Sequence, residues 1–506
     1  MGLDGTLLDD ERYVEAVVGP PARVNPLLAP ADDAEDDLVS LVFSGLMRID
    51  AEGRPQPDLA RSWEVTPDAQ TYTFHLRSGL AWHDGMPFTA SDVAFTIERL
   101  QSGAVEVAPG IADAWAGVEV FVDSPLTVLV RTPEPQAAFL SHAALGILPR
   151  HLEGQMAAET GFDVAPFDRQ PVGTGPYRLA SLDDERAVLE RHAGFALGAP
   201  TIRHIELRFV EDTAAQIRTL ADGDADAALL EAEPHEDEPG MREERPELAE
   251  TALPRTAYTA LYFNNALPPL GEVSLRRALR ASVDPVEVFA TAGLRGAPGD
   301  GVFLPGSWAY APPDEGSPAG DADALWEAAG WPLREDGRRA RGDTALTLQL
   351  VTNEDPERER MAQAVAEQLD AHGVTVEVVT MPSPAVISGL HSGEYALAIF
   401  GWEASVDPDP YPGWHTSQSG GNGNVARFRD PQADALLEAA RTTLDQGERS
   451  EFYTLFADRF ADQAPAVVLA YPARTYIHPA ALQGAEWGLL AGSGSRFHDV
   501  HRWTLS

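Results

Sequence analysis

Apolar and polar residues alternate in two widely separated stretches, and each alternation leads into a helical period and a second apolar run. In the first, Ile205, Leu207 and Phe209 alternate with Glu206 and Arg208, which predicts a half-buried strand. Asp212 then caps a helix with Ile217 and Leu220 on one face, Gly223 ends it, and Ala227 to Leu230 returns as a strand. In the second, Leu346, Leu348 and Leu350 alternate with Thr347 and Gln349, and a helix follows with Met361, Val365 and Leu369 spaced by four. His372-Gly373 stops that helix, and Val374, Val376 and Val378 resume a strand. Each unit predicts parallel strands joined by a right-handed crossover, and two such units so far apart predict two α/β lobes.

The stretch from Leu46 to Gln170 follows another pattern. Tyr72, Phe74 and Leu76 alternate with Thr71, Thr73 and His75, turns follow at Arg77-Ser78-Gly79 and His83-Asp84-Gly85, and Thr89-Ala90-Ser91-Asp92 reads as a capping box. The helix it opens has Val93, Ile97 and Leu100 on one face. This predicts an α+β insertion on the first lobe. Glu231 to Pro246 and Pro298 to Asp321, rich in acidic residues, Pro and Gly, read as surface loops.

At 506 residues the chain exceeds what one ordinary core organises. The charge narrows its partners. There are 79 acidic residues against 37 basic ones, all of them Arg, for a formal net charge of −42. Nucleic acid is a poor partner for a chain without a basic face. The acidic excess reads as a solvated coat suited to salt, with electrostatic steering of a cationic solute as the other reading. The absence of Cys excludes disulfides, thiolate metal sites and a Cys nucleophile. No apolar stretch reaches the roughly 18 to 20 residues that span a bilayer. Met1 to Glu15 is polar and acidic, without the basic and apolar regions of a secretion signal, so the segment leaves open a trimmed leader or a cytoplasmic location.

Catalytic patterns are missing. Gly173-Thr174-Gly175-Pro176-Tyr177 has no P-loop Lys, and its Pro removes a donor that a phosphate nest would use; Gly420-Gly421-Asn422-Gly423-Asn424 reads as a turn. The 13 His are scattered without metal-ligand spacing, and Gly492-Ser493-Gly494-Ser495 is not a nucleophile elbow. The expectation is therefore no enzyme, no cofactor and no metal. One loop stands out. Tyr395 to Phe400 reads as a buried strand running into Gly401-Trp402-Glu403-Ala404-Ser405-Val406-Asp407-Pro408-Asp409-Pro410-Tyr411-Pro412-Gly413-Trp414-His415. Ligands of open α/β sheets bind beyond the carboxyl ends of strands, which is where this loop begins. Its composition suits a ligand-binding wall and a rigid loop with inward-packed Trp residues equally.

The ordered set of motifs resembles the family 5 extracellular solute-binding proteins, the dipeptide, oligopeptide and nickel-binding components of ABC importers. The resemblance runs through Asn25-Pro26-Leu27-Leu28, Val42-Phe43-Ser44-Gly45-Leu46, Pro57-Asp58-Leu59-Ala60-Arg61-Ser62-Trp63-Glu64, Tyr72 to Arg77, Trp82 to Val93, Pro171 to Tyr177, Gly223 to Asp226, Phe263-Asn264, Arg276 to Leu279, Ala328 to Trp331 and Asp407 to Pro410. It implies an α/β, type II-like periplasmic-binding fold in two lobes with an extra α+β domain. Lobe I would comprise residues 1–45, 171–257 and 475–506, the extra domain 46–170, and lobe II 258–474, with lobe closure about 256–263 and 470–476.

The resemblance further implies a monomer at the extracellular face of the membrane or in the periplasm that captures a short peptide between its lobes and delivers it to an ABC permease. Family members neutralise the peptide ammonium with an Asp after Gly-Trp; here that spacing falls on Ser405, and Asp407 is the expected charged anchor, with Glu403 or Asp409 next. Trp402 and Trp414 are the expected apolar walls, and Val18, Gly19 and Asn264 complete the expected contacts. The competing readings are the same transport role for a non-peptide solute (a sugar, an opine-like compound or a metal chelate), a cytoplasmic ligand sensor, and an enzyme.

Overall fold

The strand–helix–strand pattern around Ile205 forms as the sequence predicts, but its two strands are not neighbours. The computed structural model describes residues 12–103, 107, 109–156, 165–231, 245–312, 321–420 and 423–505. The expected loops at 231–246 and 298–321 fall partly outside these residues, as does the centre of the expected turn at 420–424. The chain divides into two compact units: one runs to Leu253 and resumes at Arg474, and the other spans Pro254–Ala473.

In the first unit, β1 (Arg12–Val18), β2 (Tyr177–Leu182), β3 (Arg186–Arg191), β4 (His204–Val210) and β5 (Ala227–Leu230) build a mixed sheet in the order β5-β1-β4-β3-β2. The helix between β4 and β5, Thr213–Ala221, begins where Asp212 accepts from the Ala215 N–H at 2.7 Å. Both β4 and β5 pair parallel with β1, which lies between them. The polar start of the chain thus conceals a central strand. Its polarity is concentrated in Glu15, fully buried on β1 and bound by Arg496 from the C-terminal tail, whose Nε and Nη2 donate to Glu15 Oε1 at 2.9 and 2.6 Å. The same guanidinium holds both carboxylate oxygens of Asp37, on helix α1 (Asp33–Val42), each at 2.6 Å. A salt bridge this dry is tolerated because every charge in it is hydrogen-bonded.

The segment that differs in pattern forms a four-stranded antiparallel sheet in the order Ala60–Val65, Thr71–Leu76, Thr127–Arg131, Glu119–Ser124. Tyr72, Phe74 and Leu76 point inward as their alternation requires. In the capping box, Asp92 accepts from the Thr89 N–H at 2.8 Å, and Val93, Ile97 and Leu100 are buried along the helix Ala90–Gln101. These side chains belong to one hydrophobic core with Tyr13, Leu207 and Trp503. The glycines of Gly173 to Tyr177 serve close approach: the Gly175 N–H donates to Val42 O at 2.8 Å, and a Cβ on Gly173 would lie 1.8 Å from that oxygen.

In the second unit, β6 (Ala257–Phe263), β7 (Thr347–Asn353), β8 (Thr375–Met381) and β9 (Leu397–Glu403) stand in the order β8-β7-β9-β6, followed by the first part of β10 (Ala466–Pro479). The predicted unit from Leu346 to Val378 is confirmed, with β7 and β8 parallel neighbours and Leu348 beside Val376. Its helix, α2 (Pro356–Ala371), buries Met361, Val365 and Leu369 as their spacing predicts.

Candidate functional site

Strands β7, β8 and β9 run parallel, so Asn353, Met381 and Glu403 end at one edge of the second unit's sheet. Burial decays along β9 toward that edge: Leu397, Ala398 and Ile399 are buried, Phe400, Gly401 and Trp402 are half-buried, and Glu403 is exposed. The apolar half of this strand packs the core, and the remainder reaches the position where α/β sheets bind ligands. Antiparallel β6 sets Tyr258 opposite Trp402 and Ala257 opposite Glu403. Just before β6, Arg255 donates to Glu403 Oε1 at 3.0 Å, and the Ala404 N–H donates to Thr256 O at 2.7 Å.

Beyond Ala404 the loop turns inward, which corrects two expectations. Asp407 is only 3% exposed, and both its carboxylate oxygens are held by Arg449, at 2.7 and 3.0 Å. Arg449 also donates to Tyr453 Oη at 2.9 Å and lies under the Trp308 ring at 4.9 Å from its centroid. Burial works against the guanidinium charge, but the Asp407 carboxylate outweighs it and holds the Arg449 pKa above its ordinary value. Asp407 is thus neutralised from within and offers no free charge to a ligand. Trp414, 2% exposed, is core rather than wall: its ring stacks on Tyr262 with centroids 6.0 Å apart and meets Phe460 edge-on at 4.6 Å. The reading of this loop as rigid with inward-packed Trp holds for Trp414.

Trp402 differs, because it stays half-buried with Gly413 against its ring. Glu403 is exposed but paired with Arg255, and Ser405 is exposed. Asp409 is paired with Arg441 at 2.7 Å, and the Arg441 guanidinium lies 3.9 Å from the Tyr411 ring centroid. Asn264 is buried as a backbone tie, its Nδ2 donating to Gly393 O and Tyr395 O at 3.0 and 2.9 Å. That consumes its donors and corrects its expected role as a ligand contact. Val18 and Gly19 belong to the first unit, at the carboxyl end of β1, where both are half-buried and the Gly19 N–H donates to Val210 O at 2.9 Å. Gly19 has a φ of 75°, a left-handed conformation that favours glycine.

The residue that sequence reasoning missed is Arg358, in the first turn of α2. Its guanidinium lies 5.0 Å from the Phe400 ring centroid, and its Nη1 donates to Asn353 Oδ1 at 3.2 Å. Asn353 in turn donates to Ser383 Oγ at 3.0 Å. A Cβ on Gly401 would come within 2.7 Å of Arg358 Nη2, so the glycine leaves room for the guanidinium across β9. One signal was available: a cation in the first turn of a helix opposes the macrodipole, so something other than helix stability must account for it.

Comparison with known proteins gives a consistent result. The family model described as bacterial extracellular solute-binding proteins, family 5 Middle, matches residues 54–424. The oligopeptide-binding protein AppA of Bacillus subtilis (strain 168) is 24% identical over 506 residues, covering 97% of this chain and 90% of its own. Among solved structures, NikZ from Campylobacter jejuni in complex with Ni(L-His) is 25% identical with a TM-score of 0.72, covering 98% of this chain and 100% of the other. HbpA2 from Haemophilus parasuis, at 19% identity, shares the fold with a TM-score of 0.84 over 98% of this chain and 100% of its own.

Proposed function

Since the chain belongs to the bacterial extracellular solute-binding proteins of family 5, whose members are transport binding proteins rather than enzymes, we propose that it captures a short peptide and delivers it to an ABC permease. The observation that carries this reading is the family match across residues 54–424, joined by the half-exposed Phe400-Gly401-Trp402 at the carboxyl edge of the second unit's sheet. The AppA relative is named as an oligopeptide-binding protein. Trp402 supplies apolar surface with few directional demands, which suits a site for varied side chains. The protein acts outside the cytoplasm as a monomer and does not bind nucleic acid. Among the described residues no helix is long and apolar enough to cross a membrane.

A second reading, the same transport role for a non-peptide solute, is favoured by one feature: Ser405 stands where the resemblance calls for the ammonium-binding Asp, and Asp407 is already paired. Mass spectrometry of solute released by denaturing the purified protein tests both. A set of short peptides supports the first reading; a single non-peptide compound supports the second. Calorimetry with the recovered compound then fixes stoichiometry.

A further inference from the structure

We propose that Asp300 and the two tyrosines that hold it, Tyr310 and Tyr471, form a binding site in the second unit for the cationic group of a solute, an ammonium or a guanidinium. The inference deepens the solute-binding reading and rests on it. In the loop after β9 the acidic side chains are engaged: Glu403 is paired with Arg255, Asp407 with Arg449 and Asp409 with Arg441. Asp300 differs. It is exposed, and among the described residues it has no ion-pair partner. Two phenol hydroxyls hold its carboxylate instead, with Tyr471 Oη 2.7 Å from Oδ1 and Tyr310 Oη donating to Oδ2.

The fold builds this arrangement. Gly296–Pro298 pairs antiparallel with β10 from Pro472 to Ala470, and a Cβ on Gly296 would lie 2.0 Å from Tyr471 O, so the strand approaches closely and delivers Asp300 to the Tyr471 hydroxyl. Tyr471 is buried, and its Oη also accepts from the Asp300 and Gly301 N–H groups at 3.3 and 2.9 Å. The stretch from Pro298, expected to be a surface loop, is packed as far as Ala309: Val302, Phe303, Leu304 and Ser307 are buried. Trp308 lies over the Arg449 that holds Asp407, which sets this turn against the loop after β9. The same turn buries the Ser307 hydroxyl without a partner.

Burial and the neighbouring carboxylate raise the Tyr310 pKa to about 12, and the Tyr471 pKa moves in the same direction for the same causes. Both phenols therefore stay protonated and donate. A carboxylate offers about four acceptor positions, and the phenols take at most two. Gly301 O lies 2.6 Å from Tyr471 Oη, so a second acceptor stands beside Asp300 Oδ1. Ammonium and guanidinium groups carry several donors and no acceptor, which matches a held carboxylate with open positions. The half-buried Tyr310 ring adds a π face for an organic cation. One carboxylate is too little for a calcium or magnesium ion, which takes about six oxygen ligands. The net charge of −42 draws cations toward the whole surface, and Asp300 gives that attraction a fixed end point.

The test uses the whole chain, with native mass spectrometry and calorimetry at one fixed salt concentration. The first arm offers tri- to pentaalanine, free and N-acetylated, and the N-acetylated peptides with one Lys or Arg. A second arm offers agmatine and putrescine, and a third CaCl2 alone. We expect peptides that carry an amine or guanidinium to bind at least tenfold more tightly than N-acetylated alanine peptides. Asp300→Asn should erase that preference and Asp300→Glu keep part of it. Asp343→Asn, which removes an exposed acid elsewhere, should keep all of it, with Tm within a degree or two of wild type in each variant. If N-acetylated alanine peptides bind as tightly as charged ones, or Asp300→Asn keeps the preference, the site is overturned while peptide binding stands. If only agmatine or putrescine binds, and Asp300→Asn abolishes that, the site stands and peptide binding falls. Calcium binding that Asp300→Asn abolishes, with no amine bound, overturns the organic cation in favour of a metal. Should Asp300→Asn fail to fold, a preference unchanged in both Asp300→Glu and Tyr310→Phe overturns the site. If no probe binds wild type, both readings fall.

Discussion

Arg449 sets its two terminal guanidinium nitrogens on the two carboxylate oxygens of Asp407, inside the second unit, at 2.7 and 3.0 Å. The pair links the loop after β9 to the helix Gln446–Gln463, and it turns the most conspicuous acidic motif of the chain into an internal strut.

Breaking that strut should cost stability rather than affinity. Asp407→Asn leaves Arg449 buried without its counter-charge, a loss of about 3 to 5 kcal/mol for pairs of this kind. Chemical denaturation should register it as a lower midpoint at unchanged slope. The joint replacement Asp407→Leu with Arg449→Met should cost less than Asp407→Asn alone. A variant Asp407→Asn with wild-type stability and lost affinity would return Asp407 to the ligand.

Arg496 is the corresponding tie in the first unit, because Glu15 and Asp37 are both fully buried against it. Arg496→Ala should destabilise by about 3 to 5 kcal/mol or prevent folding. Limited proteolysis should then show cleavage that begins in the first unit. Equal protection of wild type and variant would refute the tie.

Asp58 gives a pH dependence of definite sign. Burial pushes its carboxyl up to about 7, against the pull of Arg48 and Arg77. The unfolded value is about 3.9, so the folded chain binds this proton more tightly; the stabilisation is complete at low pH and is lost as pH rises through about 7. Asp58→Asn removes the titrating charge. Its Tm relative to wild type should therefore increase from pH 4 to pH 7 and level off above. A difference that does not vary with pH would mean that Asp58 is charged throughout.

Salt should stabilise the protein. The uncompensated charge of −42 repels itself in the compact state, and the screening length falls from about 10 Å at 0.1 M to about 3 Å at 1 M. Tm at neutral pH should rise with NaCl over that range. A flat response would show that the acidic residues are compensated locally by Arg.

Periodicity and local chemistry made much of this protein readable from its sequence. The alternation at Leu346 to Leu350 and Val374 to Val378, the caps at Asp212 and Thr89 to Asp92, and the inward set Tyr72, Phe74 and Leu76 depend on neighbours a few residues away, and each formed as predicted. The ordered motifs likewise sufficed for the family and its fold. Partnership across the chain was not readable. Glu15 looked like part of a polar start, and only Arg496, 481 residues later, makes it a buried member of a central strand. Asp407 looked like a free anchor until Arg449 took both its oxygens, and Arg358 looked like one Arg among 37 until folding set it beside Phe400 with no carboxylate partner among the described residues. Hydrophobic period is a property of the local chain, whereas whether a charge is spent or available depends on which opposite charge the tertiary fold brings within a few ångströms.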